Sequence, residues 1–353
     1  MRIAQIAPLW ATIPPADYGG IELILNLLCA GLEKKGHHVT LFASGDCQVP
    51  VPLHSIIPRN LSQLMSEGHA YVAEYYLTAA LAEALSRQDD FDLFHSHLPL
   101  SWLPMAALST RPCLFTMHGS VHVDDLWALE RYPHLPVAGI SHAQCAPVRE
   151  RLEKSLPIIH HCIDFDAYTP SSQPGQYLAF LGRMSHGKNP LGAIQIARAT
   201  GLPLILAGQA HTSQEQSYFE EHIRPHLDGG QITWIGLVDH SQKVALLRHA
   251  SALLFPIQWD EPFGLVMIEA MACGTPVLAV ARGSVPEIVE PGITGHTAAT
   301  IEELIECLPA TLALDRTIVR QAALARFGSD RMVDDYVDLY STLINSVAPL
   351  KTF

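Results

Sequence analysis

The chain has 353 residues, 48% hydrophobic and 16% charged, which is enough to bury a large core and excludes a disordered polar chain. Against 22 Lys and Arg stand 35 Asp and Glu, a formal net charge of -13, which argues against a nucleic-acid binder and against tight docking on anionic lipid. The seven cysteines are scattered and form no CxxC pair, no window reaches the length of a spanning helix, and the N-terminus is too strand-like for a signal peptide, so the expectation is a cytoplasmic protein of two ordinary domains.

In chain order, residues 2–7 are a short apolar run that predicts a buried strand. Residues 21–35 carry Ile24, Leu27, Leu28 and Leu32 at helical spacing, and Gly36 stops them. Strand 38–43, helix 70–85, strand 93–95, helix 100–108 and strands 113–117 and 137–140 follow. Residues 164–176, with Pro170, Pro174 and Gly175, read as a linker. The pattern then restarts: strand 177–181, helix 189–199, strand 202–207, helix 213–223, strand 232–235, helix 241–249, strand 252–256, helix 264–272 and strand 276–279. A last helix falls near 330–344. Strands alternating with helices predict mostly parallel sheets, whose ligands bind at the carboxyl ends of the strands. The predicted fold class is α/β, with two doubly wound Rossmann-like domains facing a cleft, residues 1–165 and 166–330; residues 331–353 would pack back toward the N-terminal domain.

Only Gly19-Gly20 follows the first strand, not GxGxxG, so a dinucleotide cofactor is not expected. The run from Gly182 to Lys188 fits GxxxxGK, yet Asn189 and Pro190 stand where a Walker loop needs Ser or Thr. A glycine turn after a strand, two cations (Arg183 and Lys188) and a helix start near Pro190 suit a diphosphate; a pair of solvated loop cations is the blander reading. Further on lies Glu261-Pro262-Phe263-Gly264-Leu265-Val266-Met267-Ile268-Glu269. A helix starting near Gly264 leaves the amides of Phe263, Gly264 and Leu265 without helical partners. Glu269 lies inside an otherwise apolar helix, where burying a carboxylate without partners is costly. One carboxylate can accept both hydroxyls of a ribose, and Glu261 can accept from sugar hydroxyls in the same way. An exposed helix residue and a loop charge are the alternatives.

These motifs together resemble the retaining glycosyltransferases of family 4, which have the GT-B fold. The resemblance runs through nearly the whole chain: Gly19-Gly20 with Ile21-Glu22, His118-Gly119, Gly182-Arg183 with Lys188-Asn189, the two Glu residues, and Ala270-Met271-Ala272-Cys273-Gly274-Thr275-Pro276-Val277. It implies that Gly20, beside Gly19, approaches the donor phosphate and that His118 contacts the transferred sugar. Arg183 and Lys188 would neutralise the leaving diphosphate. Glu261 would hold the sugar with help from the amides of Phe263 and Gly264, next to Leu265. Glu269 would hold the ribose, and Val238 would lie near the base. The implied activity is hexosyl transfer from a nucleoside diphosphate sugar, UDP-glucose favoured, with retention and without a metal or other cofactor. The acceptor is a glycan, a lipid-linked sugar or a small molecule, and a peripheral membrane contact near Trp102 or Trp127 stays open. An epimerase or phosphorylase of the same shape and a non-catalytic sugar-nucleotide binder are the competing readings.

Asp90-Phe91-Asp92 and Asp164-Phe165-Asp166 mimic a metal-binding Asp-x-Asp but sit before a strand and at the linker, so both are read as structural. The nineteen histidines offer no pair with a third ligand at zinc spacing, although His97 sits at a strand end. Asp124 and Asp125 are candidates for acceptor contacts or plain solvated charges.

Overall fold

The computed structural model describes residues 1–15, 19–173 and 175–346; the linker residue Pro174 and residues 347–353 of the predicted C-terminal segment lie outside them. The chain forms two compact units, Met1–His161 with Ser329–Phe353, and Cys162–Gly328.

The first unit holds strands β1 (Arg2–Ile6), β2 (His38–Ser44), β3 (Leu53–Ile57), β4 (Leu93–Ser96), β5 (Cys113–Thr116) and β6 (Val137–Ala138). They form one sheet in the order β3-β2-β1-β4-β5-β6. Every pairing is parallel. Helices cover both faces of such a sheet, which is why every residue of β4 and every residue of β1 after Arg2 is buried. Ile6, Phe42, Phe94, Phe115 and Leu81 meet in one core cluster. The helix Ser329–Ser346 belongs to this unit and packs on the helix Gly20–Lys34. Its Tyr336 and Tyr340 are fully buried, and Asp334 pairs with Lys35 at 2.6 Å. Two buried aromatic rings about one turn apart are a large apolar anchor for one helix.

The second unit holds β7 (Tyr177–Leu181), β8 (Leu204–Ala207), β9 (Ile232–Trp234), β10 (Ala250–Phe255), β11 (Val277–Val280) and β12 (Gly295–Ala298). Their order is β12-β11-β10-β7-β8-β9, again all parallel. Leu178, Phe180, Ile194, Leu206, Leu254 and Leu278 fill the core.

In each sheet the strand order reverses beside the first strand, between β1 and β4 and between β7 and β10. At such a switch point the loops leaving the two strands diverge and open a crevice at their carboxyl ends. The loops after β1, β7 and β10 carry Gly19, Arg183, Lys188 and Glu261, whereas His118 follows β5 and Val238 follows β9.

Several elements differ from the sequence expectation. The strand β3 was not predicted, because prolines 50, 52 and 58 bracket it. The helices Val123–Arg131 and His142–Leu152 were also absent from it; the second is polar and has Pro147 inside. The expected helix 100–108 is a 3-10 turn, Leu100–Trp102, followed by the short helix Leu103–Ala106.

Candidate active site

In the second unit, β7 is followed by Gly182, whose amide donates to the Ala207 carbonyl at 3.1 Å and ties the turn to β8. The turn runs to Asn189, which caps the helix Pro190–Thr200. Its side-chain oxygen accepts from the Gly192 amide at 3.0 Å, and its side-chain nitrogen donates to the Pro256 carbonyl at 2.9 Å. A cap that also clamps the end of β10 explains why Asn rather than Ser or Thr follows Lys188. It also removes the magnesium ligand that a Walker loop needs.

Lys188 is not a solvated cation. Its ammonium is paired with Glu261 and lies over the rings of Phe255, at 5.5 Å, and Trp259, at 5.2 Å. The two charged side chains keep only 17% and 10% of their exposure, so the loops after β7 and β10 are joined by a buried charge pair. Arg183 differs: it is largely exposed and donates to Glu215 at 3.2 Å. Glu215 is itself fixed as the capping-box residue of the helix Ser213–Tyr218. The two cations expected to be free for a ligand therefore both carry a carboxylate partner.

Gly264 caps the helix Leu265–Ala272 with φ of +82°, a conformation that a side chain resists. Phe263 turns its ring into the core, edge-on to Phe327 at 6.1 Å, and its carbonyl accepts from the Ser284 hydroxyl at 2.8 Å. The Met267 amide already donates to the Gly264 carbonyl at 3.0 Å, so the helical N–H groups ahead of that first bond are those of Leu265 and Val266.

Glu269 is buried at 6% exposure, which overturns the reading of an exposed helix residue. Its Oε1 accepts from the Lys243 ammonium at 2.5 Å and from the Tyr168 hydroxyl at 2.7 Å. Burial beside this carboxylate pushes the Tyr168 hydroxyl well above its ordinary range. The sequence reading missed both partners, because Tyr168 sits in the linker and Lys243 on a separate helix. Val238 packs against Ala179, Ala207, Leu246 and Ala250. Beside it, Gly236 and Leu237 line a cavity of about 260 Å³ with Gln209, Phe219, Arg224 and Trp234.

In the first unit, a Cβ on Gly19 would lie 2.8 Å from the Glu22 carboxylate and 2.8 Å from Pro15, so a larger residue there would have to displace one or both. Gly20 opens the helix Gly20–Lys34. Glu22 is buried in its first turn, and desolvation raises its carboxyl from the usual range.

His118 follows β5. Gln144 holds the turn on both sides of it, donating to the carbonyls of Met117 at 2.9 Å and Gly119 at 2.6 Å. The ring itself lies between His97, at 2.8 Å, and His161, at 3.3 Å. Burial drives His118 down to about 3 and His97 and His161 well below their ordinary values, so all three rings are neutral at neutral pH. Asp125 accepts from the His122 amide at 2.8 Å as part of a capping box, which gives it a structural task. Asp92 chelates Arg2 at the amino end of β1, and Asp164 closes a 3-10 turn, as their positions led one to expect. Among the described residues no group of three or more His, Cys, Asp or Glu is arranged to hold a metal ion.

Residues 18–162 match the family described as Glycosyltransferase Family 4, and residues 166–306 match Glycosyl transferases group 1. The chain is a member of glycosyltransferase family 4, with the GT-B fold. It is a glycosyltransferase. The D-inositol 3-phosphate glycosyltransferase of Mycolicibacterium smegmatis is 25% identical over 92% of this chain and 86% of that protein. AviGT4, a glycosyltransferase of avilamycin A biosynthesis, is 25% identical with a TM-score of 0.71 over 98% of both chains. The Anabaena protein Alr3699/HepE, solved with UDP-glucose, is 21% identical with a TM-score of 0.70 over 97% of this chain and 100% of that one. Among the described residues no helix is long and apolar enough to cross a membrane.

Proposed function

We propose that this glycosyltransferase moves a hexosyl group from a nucleoside diphosphate sugar, UDP-glucose favoured, to an acceptor hydroxyl with retention of configuration and without a metal ion. The observation that carries this reading is the Lys188–Glu261 pair, buried at the switch point of the second sheet. Its cation suits a diphosphate, and its carboxylate suits the hydroxyls of a sugar. A donor of this class supplies both groups on one molecule, so it satisfies each half of the pair that it separates. Glu269, held between Lys243 and Tyr168, is the ribose acceptor on this reading. The cavity beside Gly236 and Leu237 is where the base would lie. The HepE complex with UDP-glucose supports the choice of donor.

In the reaction, the bond between the anomeric carbon and the diphosphate oxygen breaks, and the nucleoside diphosphate leaves with the electron pair. Lys188, Arg183 and the amides at the start of the helix Leu265–Ala272 stabilise the negative charge that develops. The acceptor oxygen forms the new bond on the face the diphosphate leaves, and its proton passes to the departing phosphate oxygen. His118 contacts the transferred sugar, and Gly20 approaches the phosphate through its backbone. No protein nucleophile and no metal takes part.

The test is incubation of the purified protein with UDP-, GDP- and ADP-sugars and a panel of acceptors that includes inositol phosphate, glycans and lipid-linked sugars. Nucleotide release is followed with and without EDTA, and the anomeric configuration of the product is read by NMR. UDP release from UDP-glucose that survives EDTA and gives a retained linkage is the expected result. Inversion, or activity that EDTA abolishes and magnesium restores, overturns the corresponding part.

A further inference from the structure

The first unit buries a run of polar side chains that the reaction as described does not use. Gln5, in the middle of β1, is fully buried and lies opposite His95 of β4 in the sheet register. Its Nε2 donates to the Tyr340 hydroxyl at 3.0 Å, and its Oε1 faces His97 Nε2 at 2.9 Å. Tyr340 Oη lies 2.6 Å from His95 Nδ1, and His95 Nε2 lies 2.7 Å from Thr116 Oγ1.

A primary amide has one accepting and one donating end, and a neutral imidazole has one N–H and one lone pair. These rules fix each proton along the run. Gln5 Oε1 only accepts, so His97 carries its proton on Nε2. Its Nδ1 is then a lone pair and faces His118 Nε2 at 2.8 Å. His118 must therefore be protonated on Nε2, which leaves Nδ1 as its acceptor. That nitrogen has the longer contact, 3.3 Å to His161 Nε2, and is the easier one to release. On the other side, Tyr340 receives the amide proton and gives its own to His95 Nδ1, so His95 donates from Nε2 to Thr116. Turning the Gln5 amide over would reverse every proton in the run at once. The run thus has a single degree of freedom, and the Gln5 amide sets it, with its nitrogen toward Tyr340 and its oxygen toward His97.

We propose that Gln5, His97 and Tyr340 are positioning residues for His118. Together they hold its ring as the Nε2–H tautomer, so that Nδ1 is the nitrogen available to accept a hydrogen bond from a sugar hydroxyl. This rests on the reading of His118 as a contact of the transferred sugar. Tyr340 is the member to test, because its hydroxyl is the partner of the donating end of the amide. Without its hydroxyl the orientation found here leaves a buried N–H unpaired, and the reversed one leaves only a carbonyl, which is the more tolerable of the two. Tyr340→Phe therefore turns the amide over and moves the His118 proton to Nδ1.

The experiment uses full-length protein labelled with ¹⁵N-histidine. Long-range proton–nitrogen correlation spectra report which ring nitrogen is protonated, and the His118 signals are found by difference against His118→Gln. The wild type is expected to carry the His118 proton on Nε2. Tyr340→Phe is expected to carry it on Nδ1 and to hydrolyse UDP-glucose with kcat lower by about five- to tenfold, with KM little changed. Gln5→Leu takes the amide out of the run altogether, so adding Tyr340→Phe to it should leave the His118 tautomer and kcat where Gln5→Leu alone puts them, whereas a packing defect at position 340 would lower kcat again. A wild-type proton on Nδ1, or a Tyr340→Phe variant with unchanged tautomer, overturns the proposal, and the single variant decides the matter if the double variant does not fold. His118→Ala separates the two readings. Wild-type kcat in that variant removes the sugar contact, while the tautomer spectra still judge the hydrogen-bonded run on its own.

Discussion

At the scale of single residues, Lys188 and Glu261 each do two things. In the free protein they neutralise one another, and on the proposed reading they part to receive the donor. Lys188→Ala is expected to lower kcat by about 100- to 1,000-fold, the usual cost of removing a donor that faces developing charge. It should also lower the melting temperature, because Glu261 is left buried without its cation. Adding Glu261→Gln should recover the stability and not the turnover. Steady-state kinetics and thermal unfolding of the two variants check this, and a single variant with wild-type kcat would sink the role. Glu269→Ala should weaken binding of the nucleoside diphosphate by roughly 1.5–3 kcal/mol, the usual size for hydrogen bonds to a charged group. Calorimetry reads this directly, and unchanged affinity would remove the ribose contact. The sequence singled out all three of these side chains. It could not show that Lys188 and Glu261 meet, because 73 positions separate them. Gln5 escaped notice for a different reason: one polar residue in an apolar strand gives no periodic signal, and its purpose appears only when β4 and the last helix surround it.

At the scale of elements, the switch points do most of the positioning. The sequence showed them wherever a strand was apolar and the helix after it periodic, as at β1, β7 and β10. It concealed them where short, proline-bracketed or polar stretches took regular structure through packing alone. The strands β3 and β12 and the helices Val123–Arg131 and His142–Leu152 are of this kind. The last of these supplies Gln144, which holds the His118 turn, so part of the candidate site was hidden along with its helix. The helix Leu265–Ala272 yields a prediction of its own. A methyl at Gly264 would lie 2.7 Å from Met267 Cε on a backbone with φ of +82°. Gly264→Ala should therefore cost about 1–2 kcal/mol of stability and tilt the first turn away from its ligand. A fall in melting temperature together with a raised KM for the donor is expected. A variant with unchanged KM would show that these amides do not touch it.

At the scale of the whole molecule, the neutral histidines make stability depend on pH. His95, His97 and His161 are held well below their ordinary values by burial, and His118 is held at about 3. In the unfolded chain the same rings take up protons below about pH 6.5. The unfolded state then binds more protons than the folded one. Stability that is whole above pH 6.5 is lost progressively as the pH falls toward the folded values, at about 1.4 kcal/mol per pH unit for each ring. Thermal unfolding followed from pH 7.5 to 5.0 should show a steep decline, and a flat profile would contradict a cluster kept neutral. The placement of Tyr340 has a consequence for biogenesis. The second unit is inserted between the sheet of the first and the helix Ser329–Ser346 that completes it. A ribosome that has delivered everything up to Gly328 has made both sheets, yet Gln5 and His95 still lack the hydroxyl to which both bond. A nascent chain can therefore fold its second unit early, while the histidine run of the first unit takes its final form only when the last helix emerges.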